Sequence, residues 1–212
     1  MLYPIGQTCF NVYNTPATTA NDTIINCNFH TVIATKGGTF ANIVNSSNVT
    51  IKNCYLKGFS KAITGSGGYM DVYNNTIFNS NVSILASNAK YPSIKENNIR
   101  NASYAIVLEN SNYGSIFNNN ITQARIALQL TGGISSNIRG NAATNGSIGM
   151  YMINSTGDFV QNNTFSDFAR YGTDCIGASS NATASGNLDL GGNVCSSNSA
   201  CYWMKSNSCL PG

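Results

Sequence analysis

One short pattern, an apolar residue followed by an Asn-rich turn, recurs through this chain at nearly constant spacing. It reads Thr-Ile-Lys-Asn-Cys-Tyr-Leu at 50–56, Ser-Ile-Phe-Asn-Asn-Asn-Ile at 115–121 and Phe-Val-Gln-Asn-Asn-Thr-Phe at 159–165, with related copies at 23–29, 71–77, 93–99 and 137–143. The fifth residues are Cys27, Cys54, Asn75, Asn97, Asn119, Asn141 and Asn163, separated by 27, 21 and then four steps of 22 residues. A weaker eighth copy puts Asn187 in register, 24 residues on. A fixed period of this size means a solenoid, because each unit can bury its apolar face only against its neighbours.

The units do not carry the i, i+3, i+4, i+7 spacing of a helix. One alternating stretch centres on Ile51, Val72, Ile94, Ile116, Ile138 and Val160. A second runs Tyr104-Ala105-Ile106-Val107-Leu108 and repeats every 22 residues. Its second residue is always small (Ala62, Ser83, Ala105, Ala127, Gly149, Gly172). Period-2 alternation means strands with one face inward. About 22 residues divided among short strands and turns make one coil of a parallel β-helix, an all-β solenoid with three short strands per coil. The Asn-Asn step suits a tight turn, since Asn tolerates the left-handed region. Asn75, Asn97, Asn119, Asn141 and Asn163 read as a structural ladder, hydrogen-bonded amide to amide along the axis.

The unit Asn-Asn-x-Ile followed by small-Ile-x-Leu resembles the repeat of right-handed parallel β-helix proteins, over roughly residues 23–190. That superfamily includes pectate-lyase-like enzymes, carbohydrate-binding and sugar-hydrolysing surface domains and tailspikes. The resemblance implies a right-handed, single-stranded coil. It carries no catalytic residue across, because one architecture serves many functions.

The repeat divides the chain into an N-terminal cap at 1–22, a β-helix at 23–190 and a cysteine-rich C-terminal cap at 191–212, all within one domain. Capping is expected because an open coil exposes strand edges and core. Only 9% of residues are charged and the net charge is +3. That balance is too mild and dispersed for a nucleic-acid surface. No apolar run reaches membrane-spanning length, and the start Met1-Leu2-Tyr3-Pro4 lacks the features of a signal peptide.

Two features point to an extracellular, cell-surface or virion-surface location. Asn21, Asn45, Asn48, Asn74, Asn81, Asn101, Asn120, Asn145, Asn154, Asn162 and Asn181 each satisfy Asn-x-Ser/Thr. Asn81, Asn101 and Asn145 look most accessible among these candidate N-glycosylation sites. The second feature is cysteine placement. Coils stack roughly 4.7–4.9 Å apart, inside the usual Cα separation of a disulfide, about 4.4–6.8 Å. Cys27 and Cys54 hold the same repeat position on consecutive coils and are expected to pair. Cys175 can stack on Cys195, and Cys201 can join Cys209. Cys9 is left over, to compete for Cys27, stay unpaired or reach another subunit. Such bridges imply an oxidising compartment, or a hyperthermophile.

Three outward stripes are candidate sites. Lys52, Tyr73, Lys95, Phe117, Arg139 and Gln161 alternate cations with aromatic rings, a pattern suited to sugar stacking or cation–π pairs. Thr64, Leu85, Val107, Gln129, Tyr151 and Asp174, beside Ile153, would leave apolar surface of the kind that marks contacts. In that stripe Leu85, Val107, Tyr151 and Ile153 form the expected assembly surface. The third stripe, Ser103, Arg125, Ser147 and Arg170 near Asp174, could bind an acidic sugar. A glycosidase needs two carboxylates at a set separation, and a lyase needs a base with a charge-neutralising partner. No two acidic residues share a register on adjacent coils, so no catalytic residue is assigned. His30 is the only histidine, and no metal or cofactor is expected. The leading expectation is a non-enzymatic surface protein that self-associates as a filament, spike or adhesive subunit. The competing one is a carbohydrate-active domain that binds or cleaves a polysaccharide, as a lyase or glycoside hydrolase.

Overall fold

The computed structural model describes residues 2–3, 7–13, 22–35, 37–171 and 188–195. Among these residues every regular element is a β-strand, and the strands pair in parallel with their counterparts one coil away. Eight short strands, from Ile24–Asn26 to Leu188–Gly191, stack into one sheet, and twelve strands form the other. The chain is therefore a parallel β-solenoid of about seven turns.

A central coil shows how sequence becomes shape. Ser93–Lys95 forms a strand in the short-strand sheet with only Ile94 turned inward. Glu96, at φ 56°, then makes the corner, and Asn97 drops its side chain into the interior. Both halves of the Asn-Asn step are thus explained: the first residue takes the left-handed conformation and the second builds the ladder. The corner column reads Asn74, Glu96, Asn118, Gly140 and Asn162, all at φ between 53° and 64°. Asn98–Glu109 follows as a twelve-residue strand, bent at Asn101 (φ 55°). In earlier coils the same stretch is two separate strands, Tyr55–Lys57 and Lys61–Ser66. Each coil accordingly has three straight segments, and in later coils two of them run on through a left-handed corner.

Consecutive burial accompanies the invariably small residue. Ala105 and Ile106 are consecutive yet both fully buried, as are Ala127 and Leu128. Strict alternation fails there, and with two successive side chains in the core the first is small. The core is otherwise columns of aliphatic residues. Ile51, Val72, Ile94, Ile116, Ile138 and Val160 are all fully buried, as are Leu56, Ile77 and Ile99 in the next column. Each such side chain contributes about 1.5–3 kcal/mol of transfer free energy.

The buried amides run in one direction. Asn75 donates through Nδ2 to Asn97 Oδ1 (3.0 Å), Asn97 to Asn119 (3.0 Å), Asn119 to Asn141 (2.9 Å) and Asn141 to Asn163 (2.9 Å). Each Oδ1 also accepts the backbone N–H of the preceding ladder residue, at 3.0–3.1 Å. The next rung is Asn193, not Asn187: Asn163 Nδ2 donates to Asn193 Oδ1 at 3.0 Å. The final step is 30 residues long, so a position counted from the 22-residue period falls short. Asn187 itself lies outside the described residues. At the other end Cys54 joins the column, its N–H donating to Asn75 Oδ1 at 3.1 Å. Cys54 is disulfide-bonded to Cys27, with Cα atoms 4.7 Å apart.

Strand pairing reaches into both expected caps. Thr8–Tyr13 pairs with Thr39–Val44, and Leu2–Tyr3 with Thr31–Ala34. Val194–Cys195 pairs with Thr164–Tyr171.

Candidate functional site

The outer face of the short-strand sheet carries the alternating stripe in the register its sequence implies. Lys52 opposes Tyr73, Tyr73 opposes Lys95, and Lys95, Phe117, Arg139 and Gln161 follow coil by coil. Lys52 and Lys95 place their ammonium groups 5.6 and 4.9 Å from the Tyr73 ring centre. Lys95 and Arg139 flank Phe117 at 6.0 and 5.5 Å. Each ring is therefore a spacer between two cations. Asp71 pairs with Lys95 at 3.0 Å and accepts the Ser93 hydroxyl at 2.8 Å. Among the described residues this is the only ion pair, which leaves Lys52 and Arg139 without a carboxylate partner.

A second aromatic row escaped the strand-centred reading of the sequence. Tyr69, Tyr91 and Tyr113 stack at 5.1 and 5.2 Å with rings 17° and 19° from parallel. All three are exposed, at 38%, 42% and 45%. They sit at and beside the corner that leads into the short strands, four residues ahead of Tyr73, Lys95 and Phe117. Their own 22-residue spacing was the available signal. Tyr113 is held at φ 56°, a conformation unusual for a bulky residue.

The second stripe is less exposed than its sequence suggests. Val107, expected on an apolar surface, is buried at 4% exposure, while Leu85, Tyr151 and Ile153 are half-buried. Val107 and Leu85 line a shallow cavity of about 270 Å³ with Lys61, Tyr104, Glu109 and Gln129. From the third stripe, the Arg125 guanidinium lies over the Tyr104 ring at 4.6 Å and donates to its hydroxyl. Arg170 ends its coil within Thr164–Tyr171. The Arg170 side chain and Asp174 lie outside the described residues, so the Arg125–Arg170 pairing is not placed.

Of the cysteines, Cys9 is unpaired and half-buried, and burial pushes its thiol pKa up. That shift holds it in the less nucleophilic protonated form. Cys27 is committed to Cys54, so Cys9 does not compete for it. Cys175, Cys201 and Cys209, the side chain of Cys195, and Asn21 and Asn181 lie outside the described residues. The remaining sequon residues, Asn45, Asn48, Asn74, Asn81, Asn101, Asn120, Asn145, Asn154 and Asn162, are all exposed. The Asn74 amide donates to Asn53, and that of Asn101 to Asn79.

The acidic residues are dispersed. Asp71 is on the short-strand face, Glu96 at a corner and Glu109 at the end of a long strand. Asp158 is buried, bonded to the Ser136 N–H at 2.7 Å and to the Ser155 hydroxyl. Among the described residues no three His, Cys, Asp or Glu side chains gather where they could hold a metal ion. No helix among them is long and apolar enough to cross a membrane.

A family model described as a right handed beta helix region matches residues 6–142 and again 82–208. No curated protein and no solved structure matches the chain.

Proposed function

The chain belongs to the right-handed β-helix family, and from that premise we propose that it is a non-catalytic component of an extracellular or cell- or virion-surface assembly. The family accommodates both surface proteins and carbohydrate-active ones. The observation that carries the structural reading is the continuous internal staple. Ladder amides run from Asn75 to Asn193, and a disulfide extends the same column to Cys27. Such a column stiffens the rod along its axis and gives each coil one fixed register. The disulfide fits an oxidising compartment, and the exposed sequon residues fit a surface that tolerates glycans. Among the described residues the carboxylates of Asp71, Glu96, Glu109 and Asp158 lie on different parts of the coil rather than as the facing pair hydrolysis uses. Self-association through the half-exposed Leu85, Tyr151 and Ile153 edge is the assembly mode this reading takes.

Light scattering and electron microscopy of the unreduced protein test it. Regular oligomers or fibres are expected, and Leu85→Glu, Tyr151→Glu and Ile153→Glu together should disperse them while circular dichroism stays unchanged. Val107 is left alone because a buried charge there would unfold the coil rather than probe an interface. A monomer that shortens a polysaccharide would overturn the proposal.

A further inference from the structure

We propose that the outer face of the short-strand sheet binds a linear acidic polysaccharide lying along the solenoid axis. This names the partner of the non-catalytic surface reading and stands on a different face from the assembly edge. The first argument is spacing. Lys52, Lys95 and Arg139 occupy one column at every second coil, so cationic groups repeat at roughly 9.5 Å for a strand spacing near 4.7–4.9 Å, the middle one also paired with Asp71. A nucleic acid presents a phosphate about every 3.4 Å along each strand, far denser than this column. A sugar chain with one anionic group per two-sugar repeat is sparse enough to match.

The second argument is preorganisation. Tyr73 and Phe117 each sit between two cations at 4.9–6.0 Å. The rings keep long, flexible side chains apart and extended, which reduces the ordering cost of binding. Lys52 and Arg139 have no carboxylate partner among the described residues and are available to an anion.

The third argument is what borders the column. Two residues away along each strand lie Asp71, Ser93, Ser115 and Asn137, with Asp71 taken up by Lys95 and the Ser93 hydroxyl, and beyond them the exposed Tyr69–Tyr91–Tyr113 stack. Hydroxyls, an amide and ring edges beside a row of cations are groups that recognise a sugar's hydroxyls and apolar face.

The test is calorimetric titration of the full chain with hyaluronan oligosaccharides, which carry one carboxylate per disaccharide. Neutral dextran and a single-stranded oligonucleotide serve as comparators. Hyaluronan should bind, weaken as salt is raised and lose at least about tenfold in affinity in Lys52→Gln/Arg139→Gln. Ser115→Glu, which keeps every cation but adds a repelling carboxylate beside them, should weaken binding similarly. Circular dichroism confirms that both variants fold. Absence of hyaluronan binding, undiminished binding by both variants, or equal binding of the oligonucleotide would overturn the proposal. Assembly measured on Lys52→Gln/Arg139→Gln separates the two readings. Retained fibres with lost binding supports both, and binding by a protein that never assembles leaves this one standing alone.

Discussion

A single ladder side chain satisfies its neighbours on both sides. Asn119 accepts from the backbone and side-chain nitrogens of Asn97, each at 3.0 Å, and donates to Ile94 O and Asn141 Oδ1, each at 2.9 Å. Asn119→Ala strands several buried polar groups at about 1–3 kcal/mol apiece. A fall in stability of several kcal/mol is expected in denaturant titration, well beyond that of an exposed Asn120→Ala control. Asp158 is a different kind of buried polar residue. Burial raises its pKa, opposed by hydrogen bonds from Ser155 and Ser136. With the folded value above the unfolded one, its contribution is fully present at acid pH and is lost as pH rises through the folded pKa. Asp158→Asn should therefore gain in melting temperature relative to the parent as pH goes from acid to neutral. An equal difference at every pH would contradict this sign. The ladder from Asn75 to Asn163 and the Cys27–Cys54 bridge were legible from spacing alone, because identical residues at one period must stack. Asn193 was not, because the long last coil hides its register.

Among elements, the corners were harder to anticipate than the strands. Period-2 alternation located the inward Ile94 and Ile106, but it assigned Val107 to an exposed face. Alternation says which way a side chain leaves the backbone and nothing of what lies over it. The small residue at position 105 was noticed as a regularity, and its setting is a stretch where alternation lapses and Ala105 and Ile106 are buried in succession. Ala105→Ile should overfill that fully buried site and cost about 1–3 kcal/mol, measurable as a lower unfolding midpoint. The cation–aromatic column was readable because it lies on strands. The tyrosine stack was passed over because its residues lie at and beside a corner, outside either alternating stretch.

On the scale of the whole molecule, adjacent coils interact through the same register again and again, from Thr76↔Asn98 to Asn98↔Asn120 to Asn120↔Ala142. Stability in such an array is close to a sum of repeat and neighbour terms. Removing residues 98–119 joins Asn97 to Asn120 and leaves every column intact. The shortened protein should still unfold cooperatively, with a modest loss in melting temperature by circular dichroism. Removing 98–118 instead leaves one extra residue at a single corner, Asn97 followed by Asn119, which the coil must place as a bulge, and should cost more in melting temperature than the whole-coil deletion. If both deletions fold equally well, the register is not what holds the stack.

The single file of like-oriented amides also bears on inheritance. A gene that slips during copying gains or loses stretches of any length, yet stretches encoding whole coils preserve the column of asparagines with no corner to rebuild. Such a lineage would vary in the reach of its rod by discrete increments, each one strand spacing long, and the glycan face would lengthen or shorten with it.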